Sequence, residues 1–271
     1  MGVPAGEAGV PKYARTLLGT RIAPEREGFR EWLDECQRVY LDVGSNVGIQ
    51  IRKLFEPELY PNATVLSIFD SRFGPADERK RDRGLCAVGF EPNQRNEARL
   101  LELQAAYRAQ GWRVKIFTQT AVSVSDGTAN FYADQGPPEF NEPGASLLPW
   151  RQSEDKTTVS TMDLAKYINE HVGKRRVDVT QPTKVLMKMD IEGLEHELFP
   201  ALIVSGAVCN HVHSIMHKTH GWGGKTYGEV SDAAWVNFFY HYIKEHPQHC
   251  RLAMEYVDDE TYDTSTFDLP S

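Results

Sequence analysis

The chain has 271 residues with 30 Lys and Arg against 38 Asp and Glu, a formal net charge of -8, which is enough length for one sizeable core. That balance excludes a protein whose affinity comes from neutralising many phosphates, so no nucleic-acid partner is expected. No apolar run approaches the roughly 18 residues of a membrane span, and the four cysteines, Cys36, Cys86, Cys209 and Cys250, are far apart with no C-x-x-C pair, so reduced, buried thiols are expected rather than a zinc knuckle or a disulfide framework.

Residues 1–38 read as a Gly-, Pro- and Ala-rich arm followed by a short lead-in helix with Phe29, Trp32, Leu33 and Cys36 on one face. Residues 39–271 read as a single domain. Its first strand is 39–43, followed by a glycine turn and a helix that ends before Pro57. Residues 57–84 read as an insertion: a strand-like run at 63–70, then a charge-dense, solvated loop through Asp77 to Arg83. Asn62-Ala63-Thr64 within it matches a glycosylation sequon. Leu85 to Glu91 is the next strand, and a helix from Asn93 to about Gln110 ends at Gly111. Val114 to Thr120 is a further strand running on through Ala121, with a hairpin turn at Asp126-Gly127. Residues 134–158 form an irregular loop, 161–172 a helix, 185–190 a strand, 194–204 a helix, 208–217 a strand, and 233–245 an aromatic helix before a last run at 251–257. The alternation predicts a doubly wound α/β sheet with helices on both faces, mostly parallel, with an antiparallel C-terminal strand.

The segment Leu41-Asp42-Val43-Gly44-Ser45-Asn46-Val47-Gly48 places an acid at a strand end and two glycines in the turn that follows. Its D-x-G-x-N-x-G spacing lacks the G-x-G-x-x-G of dinucleotide sites, which favours a cofactor without a pyrophosphate, and S-adenosylmethionine is the candidate. Two acids compete for the ribose hydroxyls. Asp70 runs into the charged loop, whereas Glu91 sits in Phe90-Glu91-Pro92-Asn93 at a strand end followed at once by a long helix, so Glu91 is preferred. Asp42, Gly44, Ser45, Asn46, Gly48, Glu91, Asn93 and Asp190 are the expected cofactor residues, with Thr120 and Ala121 near the adenine edge.

These segments, together with Thr120-Ala121-Val122-Ser123, Thr161-Met162-Asp163 and above all Lys188-Met189-Asp190-Ile191-Glu192-Gly193-Leu194-Glu195, resemble the FkbM family of S-adenosylmethionine-dependent methyltransferases. The resemblance implies a class I methyltransferase (Rossmann-like) sheet and methylation of an oxygen, commonly a sugar or polyketide hydroxyl. A sugar, glycan or glycosylated metabolite is then the expected partner.

A hydroxyl acceptor must lose its proton as the new bond forms. Asp190 is the first candidate base. Strand alternation puts Lys188 on its face, predicting an ion pair from Lys188 to Asp190 or to Glu192. His217 and His220 lie near the same edge, and either can replace Asp190 as base. His211, His213 and His217 read as sharing one strand face, so a divalent metal assisting Asp190 is a rival reading, not favoured. Trp222 and Tyr227 flank loop glycines where a ring could stack on a sugar, whereas Trp235, Phe238, Phe239, Tyr242 and Ile243 read as core. A non-catalytic binding module on the same fold is a further rival. Oligomeric state and compartment stay open between cytoplasm and a secretory lumen.

Overall fold

The computed structural model describes residues 31–133, 144–148, 155–218, 226–227, 230–259 and 268–270. One six-stranded sheet organises them. It uses β1 (Arg38–Val43), β2 (Leu85–Glu91), β3 (Arg113–Thr118), β7 (Lys184–Met189), β8 (Ser214–His217) and β11 (Ala253–Tyr256) in the order β11-β8-β7-β1-β2-β3. Counting these six strands alone along the chain gives the doubly wound order, in which the topology reverses between β1 and β7. Loops leaving the carboxyl ends of those two strands therefore diverge and leave a crevice between them.

The strand faces follow from alternation. Val39, Leu41, Val43, Val88, Phe90, Val185 and Met187 point to one face and join a core with Leu198, Phe199 and Leu202 of α6 (Glu195–Val204). Tyr40, Ala87 and Leu186 point to the other and pack with α1 (Ile49–Phe55), α2 (Leu66–Phe73) and α4 (Glu97–Ala109). Strands buried on both faces are nearly all apolar, as a parallel sheet requires. Asp42, Glu91 and Lys188 continue the second face at the strand ends.

A second, mixed sheet has the order β4-β6-β5, with β4 (Thr120–Ser123), β5 (Gly127–Tyr132) and β6 (Lys156–Asp163). The remaining elements are α3 (Ala76–Arg81), α5 (Leu164–Tyr167), α7 (Ala207–His211), the short pair β9 (Thr226–Tyr227) and β10 (Val230–Ser231), and α8 (Asp232–Glu245).

Several sequence expectations are corrected. The C-terminal strand is parallel, with Ala253 opposite Ser214 and Tyr256 opposite His217, because the α8 crossover returns the chain to the edge from which β8 started. Residues 63–70 hold the start of α2 rather than a strand: Val65, Phe69 and Phe73 recur every four residues and are all buried. The charged stretch after it is ordered, with Arg79 buried, paired to Asp70 and donating to the Leu54 carbonyl at 2.9 Å. The segment before β1 is a turn, not a helix, with Glu35 at φ 67°. Asp126-Gly127 does not close a hairpin of neighbours, because β6 lies between β4 and β5. The β-branched run at 157–161 extends β6 to Asp163, so helix begins only at Leu164. Residues 207–211 are helical, hence His211 closes α7, His213 precedes β8, and only His217 lies on that strand.

The cysteines are paired, not free: Cys36 with Cys86 and Cys209 with Cys250, with Cα atoms 5.7 and 4.7 Å apart. Among the described residues no helix is long and apolar enough to cross a membrane. Phe29, His220, Gly221, Trp222, Gly223 and Gly224 lie outside the described residues, as do the side chains of Tyr227 and Trp235.

Candidate active site

At the switch point the turn after β1 meets the loop after β7. Gly44 adopts φ +84°, and a Cβ there would stand 2.0 Å from the Asp190 carbonyl oxygen. Only glycine permits both the left-handed backbone and this contact. Gly48, at φ +86°, would press a Cβ to 2.4 Å from Leu103, so its role is to seat α1 against α4. Ser45 is buried, and its hydroxyl donates to the Asp42 carbonyl at 3.0 Å. Ser45 and Gly48 thus build the turn and do not line the cleft.

The cleft holds about 700 Å³ of space, counting the solvent-open part at its mouth. Its polar wall comprises Gly44, Asn46, Glu91, Lys188, Asp190 and Glu192, and its apolar wall includes Phe131, Leu147, Ile191 and Leu194. Ala121 and Val122 also line it but Thr120 does not: β3 ends at Thr118, Gln119 turns at φ 50°, and Thr120 donates its hydroxyl to the Thr118 carbonyl at 2.9 Å. Thr120 and Ala121 therefore belong to the second sheet, not to the end of the third core strand.

Glu91 is fixed by backbone. Its Oε2 accepts the Asn46 N–H at 2.6 Å and its Oε1 accepts the Asn93 N–H at 2.8 Å. One carboxylate thereby locks the glycine turn to the end of β2. Each oxygen keeps a second lone pair for a donor in the cleft. Burial pushes the Glu91 carboxyl up to about 7, against the opposing pull of both N–H groups and of Lys188. Asn93 itself is buried and caps the following 3₁₀ turn, accepting from the Arg95 N–H at 3.0 Å.

Lys188 ties the two strand ends together. Its Nζ donates to the Gly44 carbonyl at 2.9 Å and lies 3.3 Å from Asp190 Oδ2, so of the two ion pairs predicted for it the Asp190 one forms. Burial opposes its charge, but Asp190 and Asp42 outweigh burial and hold the ammonium above the ordinary lysine range. Asp42 sits behind the turn, fully buried, accepting from the Tyr40 hydroxyl at 3.2 Å. Burial raises its carboxyl and Lys188 pulls it back. It does not line the cleft.

Beyond Asp190 the backbone is strained, with Glu192 at φ 54°, matched across the cleft by Asn46 at φ 49°. Such positions cost on the order of 1 kcal/mol each and persist only where surroundings impose them. Two neighbours missed in the sequence do so here. Glu195, fully buried, accepts from the N–H groups of Ile191 and Gly193, both at 2.8 Å. Ser146 donates its hydroxyl to the Glu192 carbonyl at 2.7 Å. Glu195 stands inside the Lys188 to Glu195 block and was legible as a helix-start acid, whereas Ser146 lies in a Pro- and Gly-rich stretch without signal.

A smaller cavity, about 290 Å³ with its solvent-open part counted, adjoins it and is lined by Gln50, Lys188, Asp190, His217, Lys218 and Asp259. Lys188 and Asp190 line both spaces. Burial holds the His217 imidazole below its ordinary value, only partly offset by Glu195, so it is neutral near physiological pH. His211 and His213 are elsewhere; His213 Nδ1 accepts the Val185 N–H at 3.1 Å. Among the described residues no group of three or more His, Cys, Asp or Glu side chains is placed to hold a metal ion. Asp70, the rival to Glu91, lies on α2 and pairs with Arg79.

No curated protein and no solved structure matches the chain. A family model described as a methyltransferase FkbM domain matches residues 42–250.

Proposed function

Because the chain belongs to the FkbM methyltransferase family, we propose that it uses S-adenosylmethionine to methylate a hydroxyl, with a sugar, glycan or glycosylated metabolite as acceptor. The observation that carries this reading is Glu91, held at the end of β2 by two backbone N–H groups with its remaining lone pairs free for the cleft. That arrangement suits a ribose diol. The apolar wall from Val122, Phe131 and Leu147 suits an adenine, and Gly44 and Asn46 suit the amino-acid end. Asp42 takes a supporting role, raising the charge preference of Lys188 from behind the turn.

The bound sulfonium supplies a methyl group on a good leaving group. Everything else falls to the chain. Asp190, at the border of the two cavities, is assigned as acceptor of the hydroxyl proton, a role worth roughly 10²- to 10⁴-fold. Lys188 orients its carboxylate from one side and, through Gly44, fixes it relative to the cofactor turn. Holding acceptor and donor in line supplies the rest of the acceleration. The smaller cavity offers an amide, an imidazole, ammonium groups and carboxylates, groups that would hydrogen-bond the hydroxyls of an acceptor seated at its mouth. Glu192 and His217 are assigned to acceptor placement.

Calorimetric titration with S-adenosylhomocysteine tests the cofactor assignment: heat of binding is expected, and none from folded protein would reject it. Methyl-labelled cofactor incubated with fractionated glycans and metabolites, with the label located by mass spectrometry, tests the acceptor class. Label on a nitrogen or carbon would overturn the hydroxyl assignment.

A further inference from the structure

Two independent observations point to one kind of cellular compartment. First, all four cysteines of the chain are paired, through Cys36–Cys86 and Cys209–Cys250. Disulfides persist in oxidising compartments, whereas cytosolic glutathione and thioredoxin keep thiols reduced. Second, Asn62-Ala63-Thr64 is the chain's single N-x-[ST] sequence and contains no proline at its middle position. Asn62 and Thr64 are exposed while Ala63 between them is buried at 7 % exposure, so the turn is pinned by its centre and presents both ends of the sequon to solvent. The Ala63 N–H donates to the Tyr60 carbonyl at 3.0 Å, and the Val65 N–H donates to Asp259 at 3.3 Å. A bulky group on Asn62 therefore displaces no core residue.

We propose that Asn62 carries an N-linked glycan, acquired where the two disulfides form, in an oxidising and glycosylating compartment. The attachment is a displacement at the anomeric carbon of a lipid-pyrophosphate-linked oligosaccharide. The bond from Asn62 Nδ2 to that carbon forms, the bond from the carbon to the pyrophosphate oxygen breaks, one amide proton leaves, and lipid pyrophosphate departs. The chain itself supplies only the acceptor amide and the Thr64 hydroxyl. The assignment does not rest on the methyl-transfer reading, and each can fail alone.

The test uses the protein captured from its own cells with thiols alkylated at lysis. Without reduction, tryptic peptides 31–38 and 84–95 are expected as one linked species, and 189–218 and 245–251 as another. Peptide 54–72 is expected only after peptide-N-glycosidase treatment in heavy-oxygen water, with Asn62 converted to labelled Asp. Thr64→Ala expressed in the same cells should abolish the conversion and Thr64→Ser should retain it. Unmodified peptide 54–72 at full yield before enzyme, or alkyl groups on any of the four cysteines, overturns the proposal.

Discussion

A carboxylate that accepts one backbone N–H on each oxygen keeps a lone pair on each for a ligand, and the ribose contact proposed for Glu91 uses both. With its carboxyl pushed up to about 7 from 4.5, the folded chain holds this proton more tightly than the unfolded chain does. The group's contribution to stability is therefore full below about 4.5 and lost as pH rises through about 7. In the proposed contact, ribose hydroxyls donating to the carboxylate would favour the ionised form, so cofactor binding would release a proton in this window. Affinity for S-adenosylhomocysteine should tighten as pH rises through about 7, and Glu91→Gln should flatten that dependence while weakening binding by about 1 to 3 kcal/mol. A pH-independent affinity in the parent protein would remove Glu91 from the ribose. Asp190→Asn should leave cofactor affinity near the parent value and lower kcat by roughly 10²- to 10⁴-fold, read under saturating acceptor. Should His217→Asn produce that loss instead, the proton acceptor is the imidazole.

Elements decide whether those residues meet, and the loop from Asp190 to Leu194 is the sensitive one. Glu195→Ala would leave the N–H groups of Ile191 and Gly193 without their acceptor, an expected cost of about 3 kcal/mol in urea unfolding, with loss of turnover because Asp190 shares the loop. An unfolding midpoint unchanged by this substitution would show the loop to be held by other means. Much of this arrangement was legible beforehand: alternation alone places Lys188 beside Asp190, and the strand-acid-helix order around Glu91 distinguishes it from Asp70. What was not legible depended on long-range neighbours. Ala63 to Asp70 mixes apolar and polar residues at both periods, and only the burial of Val65, Phe69 and Phe73 against the sheet selects helix. Val208 to His217 is apolar enough for a strand, yet Gly206 at φ 73° starts α7, which takes the run through His211 into helix. Ser146 reaches Glu192 from 46 residues away, a relation that no local spacing encodes.

At the scale of the whole molecule the disulfides set the limits of stability, and their separations of 50 and 41 residues explain why spacing gave no hint of them. Closing loops of these lengths in the unfolded chain is worth about 4 kcal/mol each in the chain-entropy account. The two links sit differently with respect to the cleft. Cys86 lies near the start of β2, at the opposite end from Glu91, so the Cys36–Cys86 link braces the sheet away from the chemistry. Cys250 lies three residues before Ala253, the first residue of β11, whose far end leads to Asp259 in the smaller cavity. Replacing either pair with alanines should lower the melting temperature by about 10 °C for a chain of this size; reductant breaks both links, so it should lower that of the parent protein by about 20 °C while leaving a variant that lacks both pairs unmoved. Well below the melting range, loss of Cys36–Cys86 should leave both cofactor affinity and acceptor KM near parent values. Loss of Cys209–Cys250 should raise acceptor KM and spare cofactor affinity, since Val257 and Asp259, which follow β11, line the cavity proposed for the acceptor and not the Glu91 wall. A melting curve indifferent to reductant would mean that the links carry no stability, and equal effects of both pairs on acceptor KM would mean that the smaller cavity is not where the acceptor sits.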